Sequence, residues 1–389
     1  MDSSNCHFFV TCAKGTEGAL RRELVALRIH GPRGATGGVS FAGTFMDGMK
    51  VCLHSRVAMR VLLEVAAFQA QDADQLYART REVDWTDFVG RGMTIAVHAT
   101  TQDNPNLRHS GFSALKVKDA IVDMLRDRSG RRPDVNVDDP DVSVVLHVRD
   151  SEARLCVDLA GEPLHRRGYR VAMVEAPLKE SLAAAVLNLG GVATDRPFID
   201  PMAGSGTLAI EHALMARNIA PGLRRRFGFE RWATPDQRKI WESLQKTARE
   251  NIRASAPCPI LARDVDKLAI AAARKNAEAA GVLPDISFEV ADIASLASLA
   301  NLASLARQEP PGTLCTNPPY GERLESAASG AEVELLYATM ARAFDAMAGW
   351  RAVCLSGNPV FAKALKRRPS ISHRLYNGPI ETRLLVFEL

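Results

Sequence analysis

Four side chains carry the chemistry this sequence can support: Asp200, Asp264, Asp292 and Asn317. Each follows a short apolar run that reads as a strand: Phe198–Asp200, Ile260–Ala262, Ile286–Val290 and Gly312–Cys315. In open α/β sheets ligands bind beyond the carboxyl ends of strands, so polar groups there face a binding crevice. After the first of these strands comes Pro201-Met-Ala-Gly-Ser-Gly-Thr207, then a helix over Leu208–Ala216. Gly204 and Gly206 let a ligand approach the backbone closely. A nicotinamide site would place its acid about 20 residues further on, and Asp264 stands far beyond that. No Lys-Ser/Thr pair follows the glycines, which argues against a triphosphate loop. The series fits S-adenosylmethionine better. Asp200 with Pro201, Gly204, Gly206 and Thr207 takes the cationic methionine end, Asp264 accepts the ribose hydroxyls, and Asp292 accepts from the adenine amino group. Asp266 is either a second ribose partner or a helix N-cap.

Asn317-Pro318-Pro319-Tyr320 stands at the last of these strand ends. Two prolines can neither continue a helix nor donate within a sheet, so the turn is stiff. Asn317 offers an acceptor and a donor, and the Pro318 carbonyl is a second acceptor. Tyr320 supplies a face on which a base can stack, a contact worth about 1–3 kcal/mol. Two acceptors beside a stacking face suit an exocyclic amino group on a flat heterocycle. The plainer alternative is a loop that merely ends a strand.

The elements that must position these groups follow from the order of apolar runs. From Ala176 onward strands alternate with helices of 10–20 residues: a helix to Leu189, a long Ala-rich helix to Ala280, a helix over Glu332–Ala346, and closing strands at Ala352–Leu355, Ser372–Tyr376 and Arg383–Glu388. That alternation predicts a doubly wound, mostly parallel sheet. Residues Ile293–Arg307 read as a surface helix or soft linker. Between Arg217 and Pro259 lies an insertion whose first part, Arg217 to Arg253, holds ten Lys/Arg against four Asp/Glu, including Arg224, Arg225 and Arg226.

Ahead of this unit the pattern is again α/β. Strands are expected at His7–Cys12, Val39–Phe41, Val61–Phe68, Thr94–Thr101, Val142–Val148 and Arg154–Leu159, with helices at Glu17–Leu27, Asp47–Ser55, Asp72–Arg81 and Phe112–Arg128. The Gly/Pro cluster at Gly31–Gly38 breaks the chain. In the helix over Phe112–Arg128, Ala114, Val117, Ile121 and Leu125 form an apolar stripe, and Lys116 and Lys118 fall off it. These lysines are either a solvated face or a phosphate-binding one. Leu164-His-Arg-Arg-Gly-Tyr-Arg170 mixes four basic groups with a tyrosine, a composition that fits RNA as well as a polar linker.

Composition sets the bounds. The chain has 389 residues, 47% hydrophobic and 24% charged, with a net charge of +4. That is length for roughly two or three domains and a charge that permits a polyanionic partner. Seven scattered cysteines without a C-x-x-C pair argue for reduced thiols and against a zinc site. The first residues lack a signal-peptide pattern and no apolar run reaches the roughly 18 residues of a membrane span. A soluble, cytoplasmic protein without a metal is expected.

Asp200-Pro-Met-Ala-Gly-Ser-Gly-Thr207 and Asn317-Pro-Pro-Tyr-Gly-Glu-Arg-Leu324 resemble the class I methyltransferases that modify exocyclic amino groups of nucleic acids. Leu164–Arg170 and Pro177-Leu-Lys-Glu-Ser-Leu-Ala183 narrow the resemblance to RNA guanine-N2 methyltransferases carrying a THUMP domain, closest to those acting on 23S rRNA of the bacterial large subunit. Ala114–Asp123 and Ala220–Leu223 extend it over nearly the whole chain. The family often has cysteine where this sequence has Ala203, a position that lines a turn.

The resemblance implies a ferredoxin-like domain at 1–55, a THUMP RNA-binding domain at 56–160, a linker at 161–175 and a Rossmann-like methyltransferase domain at 176–389. It implies Asn317, Pro318, Pro319 and Tyr320 at the reacting amino group, and Lys179, Glu180 and Asn317 beside the aspartates at S-adenosylmethionine. It implies 23S rRNA or a pre-50S particle as partner, met by Lys116, Lys118, His165, Arg166, Arg167, Tyr169, Arg170 and Arg224–Arg226. Some relatives are fused to a second module that modifies another guanine. This sequence ends at Leu389 after one module, so only the guanine-N2 activity is implied. The motif equally serves adenine N6, and a catalytically silent RNA-binding assembly factor is the reading from outside the enzymes.

Overall fold

The alternation of strands and helices resolves into two sheets. The computed structural model describes residues 6–130, 132–173, 177–298, 311–319 and 330–389. Contacts divide the chain into two units: residues 1–12, 21–164 and 225–246 form one, and 13–20, 165–224 and 247–389 the other.

The first unit holds an eight-stranded sheet of β1 (Cys6–Thr11), β2 (Arg33–Ala35), β3 (Gly38–Gly43), β4 (Arg60–Gln69), β5 (Thr94–Gln102), β6 (Asp134–Val135), β7 (Val142–Arg149) and β8 (Glu152–Asp158). Their order is β2-β3-β1-β4-β8-β7-β5-β6. The Gly/Pro cluster expected only to break the chain instead makes a hairpin: Gly37, at φ 77°, turns β2 onto β3. Helix Phe45–His54 starts where Thr44 and Asp47 form a reciprocal capping box. Helix Ser110–Ser129 buries Val117, Ile121 and Leu125 of the expected stripe and stops at Gly130 in the left-handed conformation.

The basic insertion contributes core here. Phe227, Phe229, Trp232 and Trp241 are all buried. The Trp232 ring lies 5.6 Å from Phe45 and 5.3 Å from Phe88, both edge-on, and Trp241 packs edge-on 5.0 Å from Phe229. Its charge hid an aromatic anchor.

The second unit holds β9 (Phe198–Asp200), β10 (Ile260–Asp264), β11 (Ile286–Val290), β12 (Thr313–Thr316), β13 (Arg351–Ser356), β14 (Ile371–Asn377) and β15 (Ile380–Glu388), ordered β11-β10-β9-β12-β13-β15-β14. Strands β9 to β13 pair parallel, and β15 runs antiparallel to both β13 and β14. The inner strands are buried on both faces, which is why they read as unbroken apolar runs. Ile199, Leu314, Ala352 and Cys354 join Tyr337, Phe344, Trp350 and Phe387 in the core. β9 pairs with β10 on one side and β12 on the other, so the winding direction changes beside Asp200.

The helix expected from Ala176 begins at Glu180, because Lys179 is still extended (ψ 140°); Ala176 lies outside the described residues. The same is true of residues 299–310, most of the stretch read as a soft linker, and of Tyr320. Among the described residues no helix is long and apolar enough to cross a membrane.

Phe229 is 0% exposed. Phe229→Ala should therefore cost the first unit about 3–5 kcal/mol in urea unfolding; a cost below about 1 kcal/mol would place the insertion outside the core.

Candidate active site

At the end of β9 the Asp200 carboxyl is 1% exposed and, among the described residues, accepts one hydrogen bond, from the Met202 N–H at 3.3 Å. Burial, with the nearby Asp264 charge adding to it, raises its pKa well above the carboxylate range, against the single backbone bond that lowers it. The turn that follows is fastened to β10 twice. The Ala203 N–H donates to the Arg263 carbonyl at 2.8 Å, and the Gly204 N–H to Asp264 Oδ2 at 2.8 Å. Gly206 sits at φ 83°, and a Cβ there would stand 2.9 Å from Ala273 Cβ. Glycine is needed for both reasons.

Asp264 Oδ1 accepts the Asp266 N–H at 3.0 Å, so each of its oxygens holds one backbone bond and keeps a further lone pair. Asp266 accepts the Leu268 N–H at 2.8 Å as N-cap of helix Lys267–Ala280, one of its two expected roles. Asp292 is exposed beyond β11, with Oδ1 accepting the Ala294 N–H at 2.7 Å. Val265 and Leu268, each 70% exposed, leave apolar surface beside Asp264. The sequence reading passed over both because neither belongs to a core pattern.

At the end of β12 Asn317 is half-buried, and its Oδ1 is buried with no hydrogen-bond partner among the described residues. Pro318 is buried and Pro319 half-buried. Asn317 lines a cleft with Asp200, Gly204, Thr207 and Leu178. Four expected site residues (Asp200, Gly204, Thr207 and Asn317) are thus brought together. Pro201 and Gly206 belong to the same turn, while Asp264 reaches it through Gly204. Asp292 stands at the end of the outermost parallel strand.

The basic segment before this site faces inward, which corrects its expected RNA-facing role at three positions. Arg167 and Tyr169 are each 3% exposed and converge on buried Glu211, at 3.6 Å and 3.0 Å. Arg170 donates to Glu180 Oε1 and the Leu178 carbonyl at 2.8 Å, and to Ser205 Oγ and Thr207 Oγ1 at 3.2 Å. Asn276 fastens the same segment by accepting the Val171 and Ala172 N–H groups at 2.9 Å and donating to the Ser205 carbonyl at 3.1 Å. An asparagine amid Ala272, Ala273, Ala277 and Ala280 on a buried helix face was the available signal for it.

Glu180 is 4% exposed and gripped by Arg170, so it positions the turn, while Lys179 is exposed. Arg224 donates to the Ala279 carbonyl, and Arg225 to the Pro163 carbonyl at 2.8 Å; both brace backbone. His165 is half-buried, and its pKa is lowered chiefly by burial. Lys116 lies 5.7 Å over the Phe112 ring and Lys118 pairs with Asp119 at 2.7 Å. Arg166 and Arg226 are exposed.

Three family models match the chain: an RMKL-like methyltransferase domain over residues 167–385, a THUMP domain over 70–158 and an RlmL ferredoxin-like domain over 7–62. Among curated proteins it is similar to the ribosomal RNA large subunit methyltransferase K/L of Syntrophotalea carbinolica, 40% identical over 98% of this chain and 53% of that protein. The chain spans about half the length of the curated relatives it matches. Among solved structures it is similar to one described as a methyltransferase complexed with SAH, at 28% identity and TM-score 0.86, covering 99% of this chain and 98% of that one. It is also similar to a predicted N6-adenine-specific DNA methylase from Listeria monocytogenes, at 29% identity and TM-score 0.84, covering 98% and 96%.

Removing Arg170 leaves Glu180 buried and unpaired and frees the glycine turn from the segment before it. Arg170→Ala should raise amide exchange at Ser205 to Leu208 at least about tenfold. Exchange within about twofold of the parent would deny Arg170 this role.

Proposed function

The chain belongs to the family of RMKL-like methyltransferases that carry a THUMP domain, and we propose that it transfers a methyl group from S-adenosylmethionine to the exocyclic N2 of a guanine in 23S rRNA. The observation that carries this reading is the buried Oδ1 of Asn317, without a hydrogen-bond partner among the described residues, in one cleft with the buried Asp200 carboxyl and the glycine turn. An orphaned acceptor of this kind is costly unless a ligand donor satisfies it. The relatives named for large-subunit ribosomal RNA favour rRNA as the substrate, guanine follows from the resemblance carried by the strand-end motifs, and the Listeria protein's description favours adenine as the second reading.

S-adenosylmethionine supplies a methyl group activated on a sulfonium. The residues present fit it. Asp200 offers a buried carboxylate to a cationic amino group, Gly204 and Gly206 clear the approach to backbone, and Asp264 has lone pairs left for ribose hydroxyls. Asp292, with the apolar surface of Val265, suits adenine. Lys179 stands exposed at the start of the helix that Arg170 fastens to this turn.

On the acceptor side the amino nitrogen is a poor nucleophile, because its lone pair is delocalised into the ring. Asn317 Oδ1 and the Pro318 carbonyl accept its hydrogens, favouring a pyramidal nitrogen as it attacks. Pro319 keeps the turn stiff, and Tyr320 holds the flipped base by stacking. Forming the N–C bond would break the S–C bond and leave the thioether, with the displaced N2 proton passing to water. Rate comes mainly from alignment of nitrogen and methyl, which the stiff turn supplies.

Asn317→Ala should lower methyl transfer at least about a hundredfold, the scale of losing one preorganised polar group at a reacting centre. S-adenosylmethionine affinity should stay within about twofold by calorimetry, because that group acts on the base. Near-normal turnover in this variant sinks the assignment.

Asp200 generates a second test. Its raised pKa keeps it protonated in the free protein above the ordinary carboxylate range, and a bound cation favours the ionised form. Binding between that range and the raised value should release up to about one proton, and affinity should rise with pH. Proton uptake, or none exchanged, would show that no cation meets Asp200.

A further inference from the structure

We propose that the helix-free face of the first unit's eight-stranded sheet is a docking surface for single-stranded RNA, a proposal that rests on the RNA reading above. The sheet is two-sided by register. Phe8, Val10, Leu63, Ile95, Val144, Leu146, Leu155 and Val157 are its buried side. Their neighbours in sequence point the other way, onto a groove of about 1200 Å³.

Register carries these side chains across the sheet in rows. One row runs Arg33, Ser40, Phe9, Leu62. The next runs His7, Glu64, Cys156, Val145, His98. A third runs Arg154, His147, Thr100. Seven strands at about 4.8 Å spacing make this surface about 30 Å wide.

Its chemistry is divided in the way a single strand requires. The floor is apolar, with Leu62 and Cys156 buried and Phe9 half-buried, while His7, His98, His147, Arg33, Arg149 and Arg154 stand exposed around it. Rings over an apolar floor are stacking platforms for bases, and guanidiniums at the margin meet phosphates. Glu64 is taken by Arg154 at 3.0 Å, and Asp158, 1% exposed, by Arg60. Glu152 stands opposite Arg149 at the β7–β8 turn. Among the described residues no ion pair engages Arg33 or Arg149.

The imidazoles report the local field. Burial lowers the pKa of His98 and His147, and Arg60 lowers the first further while Arg154 and Arg149 lower the second. Neutral rings stack without the desolvation cost of a charge. With Arg167, Tyr169 and Arg170 turned inward, this face supplies the rings and free guanidiniums that the basic segment lacks.

The test is RNA binding by the full chain across a salt titration, using an unstructured RNA oligomer and, separately, S-adenosylmethionine. Arg33→Glu with Arg149→Glu should weaken RNA binding at least tenfold. The slope of log K against log salt should fall by about 1.4, two phosphate contacts on a single strand. His7→Ala with His147→Ala should weaken binding at least about fivefold with the slope unchanged, the signature of lost stacking. S-adenosylmethionine affinity should stay within twofold in all, which shows that the second unit is intact, and an unchanged urea-unfolding midpoint of the first unit shows that the variants fold.

RNA affinity and slope unchanged in both variants, against a parent that binds RNA, overturn this surface and leave the proposed function standing. A parent that does not bind RNA overturns both. A parent that self-associates and an arginine variant that does not, with RNA affinity equal in the two, assigns the face to a second copy and overturns the proposal.

Discussion

A carboxyl that is 1% exposed and, among the described residues, holds one backbone hydrogen bond at 3.3 Å cannot carry its charge cheaply. Asp200 is in that position at the point where the sheet's winding reverses, and the surrounding structure keeps it there. β9 is flanked by parallel neighbours on both sides, so the carboxyl has nowhere to turn toward water. The glycine turn closes over it, fixed to β10 through Asp264 and packed on Ala273. The arrangement is unfavourable on its own, and a cation bound at this carboxyl would relieve it.

The support for that turn comes from a distance. Arg170 and Asn276 hold it from the preceding segment and from the next helix, and the buried Arg263 guanidinium reaches Ser295 at 2.7 Å in the turn that carries Asp292. Three charged or amide side chains therefore set the geometry of groups they do not themselves resemble. Preorganisation of this kind matters most where catalysis depends on alignment more than on acid–base chemistry.

How much of this was legible in the sequence depended on range. Strand-end residues were readable because an apolar run that stops at a polar residue is a local pattern, and Asp200, Gly204, Thr207 and Asn317 do share a cleft. The doubly wound order followed from the alternation of elements. The roles of Arg167, Tyr169 and Arg170 were not readable, because their partners Glu211, Glu180 and Thr207 lie 10 to 44 residues away and composition cannot say which way a side chain turns. The insertion failed for a related reason: its charge dominated the count, while Phe229, Trp232 and Trp241 did the packing. The sheet face went unseen because its arginines and histidines come from six different strands and one loop.

The choice of base is the central claim, since Asn317 and Pro318 would serve either amino group. The direct measurement is methylation of unmodified 23S rRNA by the full chain with labelled S-adenosylmethionine, followed by digestion to nucleosides. The account predicts label in N2-methylguanosine. Label in N6-methyladenosine, or a chain that binds the cofactor and methylates no RNA, would contradict it.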